Sequence, residues 1–114
     1  MIKSGFVSNN HGFHILFDNG YAISVQFGPH NHCNYRPEDN SATSRFVSCT
    51  DAEVAVLYCP PDSSDPFDVS FVTGYVLAKM MLNLHHDDEV ARNVKPAELA
   101  LLVSYVSSLK EAIV

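Results

Sequence analysis

Between Phe13 and Phe27 two segments of alternating apolar and polar residues flank Asp18-Asn19-Gly20, and no other feature constrains the chain as tightly. Such alternation marks strands with one buried face, and a short loop ending in glycine marks the hairpin that joins them. The side chains decide the register. A two-residue Asn19-Gly20 loop sets Phe17 against Ala22, Ile15 against Ser24 and Phe13 against Gln26, mixing apolar with polar residues on one face. A three-residue loop with Gly20 left-handed sets Phe17 against Tyr21, Ile15 against Ile23 and Phe13 against Val25. It also gathers His14, Ser24 and Gln26 on the other face. Only the second register builds a core, so the sequence predicts a hairpin with one apolar and one polar, histidine-bearing face.

From Gly28 to Ser44 the run Gly-Pro-His-Asn-His-Cys-Asn-Tyr-Arg-Pro-Glu-Asp-Asn-Ser is too rich in Pro, Asn and Gly for a regular element. Connections longer than about 12 to 15 residues in a compact domain are usually functional or disordered, which draws attention to this loop. Strand character returns at Arg45 to Thr50 and at Ala52 to Tyr58, where Ala52, Val54, Val56 and Tyr58 alternate with Glu53, Ala55 and Leu57. Cys59 to Pro66 forms a turn region, followed by a short strand over Phe67 to Val72. The apolar residues of Gly74 to Leu84 match neither a 3.6 nor a 2.0 period, but Leu, Ala, Lys and Met favour a helix there. At the end of the chain Pro96 suits a first helical position and Glu98 the positive helix N-terminus. Leu99, Leu102, Val103, Val106, Leu109 and Ile113 form one apolar stripe, with Ser104, Ser107, Lys110 and Glu111 facing away. Strands first and helices last imply an α+β fold in a single domain, 1–114. We expect an antiparallel sheet of about four or five strands, including the N-terminal hairpin, packed on one face by one or two C-terminal helices.

Seven Lys and Arg against thirteen Asp and Glu give a formal charge of −6, which excludes a broad basic face for extended nucleic acid. The charge is uneven. Residues 1–50 hold Asp18, Glu38 and Asp39 against Lys3, Arg36 and Arg45 and sum to zero; residues 51–114 carry the whole deficit. Four of the six histidines lie in the neutral half, and histidines gain positive charge below about pH 6.5, so a small anionic ligand is compatible with that half. Cys33, Cys49 and Cys59 are an odd set with no close pair, and residues 1–6 have no apolar run like a signal peptide, which together point to a reducing, cytoplasmic setting. The longest apolar stretch, Tyr75 to Leu84, is broken by Lys79 and Asn83 and falls far short of the roughly 20 residues that span a bilayer. No membrane role is expected.

The 28–45 loop carries the chemistry of most interest. Arg36 offers a planar fork for phosphate, Tyr35 a stacking surface, and the Gly28-Pro29 backbone with Asn31 can contact a base or ribose edge. His30 lies in the same loop, and Arg45, His14 and Gln26 join the candidate ligand set if the loop folds over the polar face of the hairpin. Small domains often complete pockets between subunits, and a homo-oligomer would let one Arg36 per chain act in pairs. His30, His32 and Cys33 are also zinc-type ligands that Cys49 or Cys59 could complete. Their spacing fits a site poorly, because His32 and Cys33 are adjacent and no Cys-x-x-Cys pair anchors them. His85-His86-Asp87-Asp88-Glu89 is better explained as a solvated helix end and turn than as a metal site. No nucleophile elbow, phosphate loop or paired carboxylate motif is present, so neither a catalytic residue nor a cofactor is assigned.

The run Phe17 to Gly28, followed by Asn31, Cys33 and Arg36, resembles a family of small accessory proteins of tailed bacteriophages and prophages. In these a Phe-x-Asn-Gly-aromatic hairpin leads into Ser-Val-Gln-aromatic-Gly and then Asn-Tyr-Cys-x-x-Arg. Ala52 to Val56 resembles their central strand, and Val94 to Glu98 with the following apolar stripe resembles their closing helix. The likeness covers about half the chain, in pieces. The chain departs from the pattern at His32, where Tyr is usual, and at Lys95, where a Ser or Thr helix cap is usual and where an ammonium cannot accept the capping bond. The resemblance implies a phage accessory protein acting in the host cell cytoplasm. Its expected role is to counter host defence by sequestering a small anionic or nucleotide ligand at the 28–45 loop. The alternatives are an inhibitor that docks on a host enzyme and a small metal- or thiol-dependent enzyme.

Overall fold

The computed structural model describes residues 4–9, 11–28, 49–60 and 69–110. In chain order the elements are β1 (Gly5–Asn9), β2 (Gly12–Leu16), β3 (Tyr21–Gln26), β4 (Ala52–Tyr58), β5 (Ser70–Phe71), α1 (Thr73–Met80), β6 (Ala91–Val94) and α2 (Pro96–Ser108). All strand pairs are antiparallel. The sheet order is β1-β2-β3-β4-β5, with β6 also paired to β4, which makes the α+β fold expected from the sequence.

The hairpin adopts the three-residue loop. Phe13 lies opposite Val25, Ile15 opposite Ile23, and the Phe17 N–H donates to Tyr21 O at 2.8 Å. Gly20 has φ 91°, a left-handed conformation that costs glycine nothing and an L side chain about 1 kcal/mol or more. The loop also does something its local pattern does not disclose. Asn19 Nδ2 donates to Val106 O (2.9 Å) and Leu109 O (2.7 Å) while Oδ1 accepts from the Tyr21 N–H (3.0 Å), so the hairpin tip satisfies carbonyls at the end of α2.

β4 spans the residues the alternation predicts, and its far edge is completed in three pieces. β5 pairs with Leu57 and Tyr58, β6 with Ala52 and Val54, and between them the Val72 N–H donates to Val56 O (2.9 Å). The Val56 N–H donates to Thr73 Oγ1 (2.9 Å), whose own hydroxyl donates to Glu89 O (2.7 Å). A fully buried threonine thus stands where a strand would otherwise be needed. β6 carries a bulge: Arg92 and Asn93 oppose the single residue Glu53, and Asn93 takes φ 53°.

α1 covers the first part of the ambiguous 74–84 segment. It ends in a left-handed Met81, where the Met81 N–H bonds Ala78 O (3.2 Å) and the Leu82 N–H bonds Leu77 O (3.0 Å). α2 begins at Pro96 as expected. Lys95 has no acceptor to offer, so only half a capping box forms, with the Lys95 N–H donating to Glu98 Oε1 (2.9 Å). Leu102 and Val106 are buried, Leu99, Val103 and Leu109 pack partly against the core, and Ser104, Ser107 and Lys110 are exposed. Ile113 and Glu111 lie outside the described residues.

Both helices lie against one face of the sheet. Tyr21, Ile23, Val25, Ala52, Val54 and Val56 of β3 and β4 join Val76, Leu77, Leu102 and Val106 of the helices in the core, with Val72, Ala91 and Val94 closing it. Of the short strand expected over Phe67 to Val72, Ser70–Phe71 is strand and Val72 already begins the turn into α1, while Phe67 and Asp68 lie outside the described residues. Of the strand expected over Arg45 to Thr50, residues 45–48 lie outside the described residues and Cys49 forms only an isolated bridge.

Candidate functional site

The period-2 geometry that points one set of side chains at the helices points the other set away from them. On that second face the strand registers align three rows. The first is Gly12, Gln26 and Glu53; the second is Val7, His14, Ser24 and Ala55; the third is Leu16, Ala22, Leu57 and Phe71. The face therefore has a polar end and an apolar end. The chain leaves β3 after Gln26 and enters β4 at Ala52, so the connection between these strands starts and finishes beside the polar end.

His14 and Gln26 are brought together here. The Phe17 N–H donates to Tyr21 O (2.8 Å) and the Phe27 N–H to His11 O (2.7 Å), so the odd-numbered β2 residues form the hydrogen-bonded pairs. His14 and Ser24 consequently face each other in a non-hydrogen-bonded pair, the arrangement in which opposite side chains stand closest. Gln26 Nε2 donates to Ser24 Oγ at 3.2 Å. Ser24 is only 8% exposed, whereas His14 and Gln26 are half-buried. Gly12 leaves no room for a side chain in this corner, since a Cβ there would fall on the Val25 carbonyl oxygen.

Ser24 and Glu53, each next to Gln26 on this face, are residues that the candidate set omitted; Glu53 has partners of its own within the chain. The alternation of β4 already turns Glu53 away from the core, and the pairing of β4 with β3 then sets it next to Gln26. None of β1 to β4 contains lysine or arginine, and the cation nearest this row among the described strands is Arg92, in the β6 bulge opposite Glu53, which is paired with Asp87. The remaining candidate residues, His30, Asn31, Tyr35, Arg36 and Arg45, lie outside the described residues, as do His32 and Cys33 of the zinc-type cluster.

The His85 to Glu89 segment is a loop between α1 and β6 and not a helix end, because α1 stops at Met80. Its side chains are exposed, and its organisation comes from Asp87. Asp87 Oδ1 accepts from the Glu89 and Val90 N–H groups (both 2.8 Å) and Oδ2 lies 3.3 Å from Arg92. These amide bonds, first from Val90 and then from Glu89, hold the Asp87 carboxyl below its ordinary value, with Arg92 adding to the effect. Among the described residues no group of three or more His, Cys, Asp or Glu side chains is placed to hold a metal ion, and no helix is long and apolar enough to cross a membrane.

Comparison with protein-family models, curated proteins and solved structures finds no match to this chain.

Proposed function

We propose that this chain is a phage accessory protein that works by binding, capturing a small anionic ligand of the nucleotide class on the open face of its sheet under the 28–45 segment. The observation that carries this reading is the polar end of that face. His14, Ser24 and Gln26 form a contiguous hydrogen-bonding patch beside the ends of the one connection that carries Arg36, Tyr35 and Asn31. The division of labour is chemical. The sheet offers neutral donors and acceptors suited to a base or sugar edge, while Arg36 and Arg45 supply the charge that an anion requires. The resemblance of residues 17–36 to small phage accessory proteins supports the setting, and counteraction of a host defence by sequestering a nucleotide signal is the role proposed for it.

Calorimetry and thermal shift against cyclic and linear nucleotides, with inorganic phosphate alongside, test the proposal. We expect at least one nucleotide to raise Tm, and both Arg36→Ala and His14→Ala to weaken it by about tenfold or more. A panel without any shift, or an Arg36→Ala protein that binds as tightly as the parent, overturns it. Docking on a host enzyme is favoured by a different observation, the exposure of Phe71 (48%), Tyr75 (56%) and Met81 (90%) around α1. A stoichiometric host protein retained by Arg36→Ala and lost by Tyr75→Glu selects that reading.

A further inference from the structure

The two edges of the sheet are finished differently. At one, β5 is two residues long, β6 is bulged, and the Thr73 hydroxyl fills the space between them. At the other, β1 is five residues long and is the last strand of the sheet among the described residues. Proteins normally protect such an edge with lysine, proline, a bulge or a very short strand. Gly5-Phe6-Val7-Ser8-Asn9 has no charge and no proline, and its pairing with β2 runs without a register shift.

The hydrogen-bond phase of the edge follows from the hairpin. Odd-numbered residues of β2 bond to β3, so the even-numbered His14 and its neighbours Gly12 and Leu16 bond to β1, through Asn9, Val7 and Gly5. The N–H and C=O groups of Phe6 and Ser8 therefore point outward. Both residues are exposed, Phe6 at 76%, and their outward backbone groups have no partner among the described residues.

We propose that β1 pairs antiparallel with β1 of a second copy of this chain about a two-fold axis through Val7. In this register Phe6 exchanges both backbone bonds with Ser8 of the other copy, Val7 meets Val7, and the full strand overlaps with no outward group left over. Uncharged and self-complementary, the strand is suited to itself. The charge distribution favours the same arrangement. β1, β2 and β3 contain no Asp, Glu, Lys or Arg, whereas Glu53 lies in β4 and Asp87, Asp88 and Glu89 in the loop before β6, so an axis at β1 joins uncharged strands and keeps these carboxylates apart. The two sheets become one, and Val7, half-exposed on the face of His14 and Ser24, places the two polar patches on one continuous surface. The proposal does not depend on the identity of any ligand.

Sedimentation velocity and native mass spectrometry of the whole chain test it. The parent should run at twice 12.6 kDa. Val7→Lys, which sets two ammonium groups face to face, and Ser8→Pro, which removes an outward N–H and no bond to β2, should each raise the dimer dissociation constant by roughly tenfold or more. Ser70→Lys on the far edge should leave it unchanged. Circular dichroism verifies that the variants fold. Independently of any variant, amide exchange of the parent should show Phe6 and Ser8 protected at high concentration and released on dilution. A monomer at all concentrations, a dimer indifferent to both β1 substitutions, or Phe6 and Ser8 amides that exchange freely in the dimer overturns the proposal.

Discussion

The two faces of this sheet are made by the same strands, residue by alternate residue, and they differ in almost every physical respect. On the face toward the helices, Ile23, Val54 and Val56 have no exposed surface, and α2 closes over them with Leu102 and Val106. On the other, a Gln-Glu row and a His-Ser row give way to Leu16, Ala22, Leu57 and Phe71. Stability resides in the first face, where apolar area has left water; freedom to contact something else resides in the second. The contrast can be broken by experiment. Leu102→Ala should cost about 2 to 5 kcal/mol, a large part of the stability of a small domain, while His14→Ala should change it by no more than about 0.5 kcal/mol. Urea unfolding of both variants compares them directly. A His14→Ala cost approaching that of Leu102→Ala means that the open face also holds the fold together.

The link between the N-terminal hairpin and the last helix gives the next largest effect. Asn19 makes three bonds from one side chain, two of them to carbonyls 87 and 90 residues away. Asn19→Ala leaves the Leu109 carbonyl and the Tyr21 amide without the bonds that Asn19 makes and the Val106 carbonyl with only the Leu109 N–H, at a cost of about 1 to 3 kcal/mol. Proton exchange should rise first in the last turn of α2, at Ser107 to Leu109. If exchange rises instead uniformly across the chain, the contact is part of the global core and not a local clasp at its border.

The hairpin register, the limits of β4 and the start of α2 were legible in the sequence because each rests on one face that is apolar and one that is not. β1 was hidden for the opposite reason. Phe6 and Val7 are adjacent, so one falls on each face, and an edge strand need not bury either. β6 was hidden by its bulge. Ala91 and Val94 are both buried although three residues apart, a spacing that fits no strand until Asn93 turns left-handed. α1 stops at Met80, and the left-handed residue that follows is Met81 and not the glycine or asparagine that usually announces such an end. Asn19 has the composition of a turn residue and gives no hint of the helix it serves. Of the candidate site, alternation alone placed His14 and Gln26 on one face; Glu53 was available to the same reasoning once β4 was laid against β3. His30, Asn31, Tyr35, Arg36 and Arg45 lie outside the described residues, and no periodicity encodes their three-dimensional positions.

The smallest effect concerns the margin between the faces, the loop that presents the Glu89 carbonyl to Thr73. Asp87 organises this loop through the Glu89 and Val90 amides and Arg92, and its carboxyl titrates below the ordinary 3.8. A carboxyl lowered on folding stabilises the folded chain fully above its unfolded value and loses that contribution as pH falls through the lower folded one. Asp87 is at the surface, so the loss is local and slight. Acidification should therefore lower the protection of the Glu89 and Val90 amides relative to their intrinsic exchange rates at each pH, and Asp87→Asn should remove most of that acid dependence. The Val56 amide is the discriminating site. It donates to Thr73 Oγ1, which is wholly buried and bonded to Glu89 O at 2.7 Å, and it should stay protected while the loop loosens. Loss of Val56 protection in step with Glu89 would show that the helix-covered face is sealed by an exposed carboxylate, and the separation between a stable face and a free one would then run through Asp87 and not along the plane of the sheet.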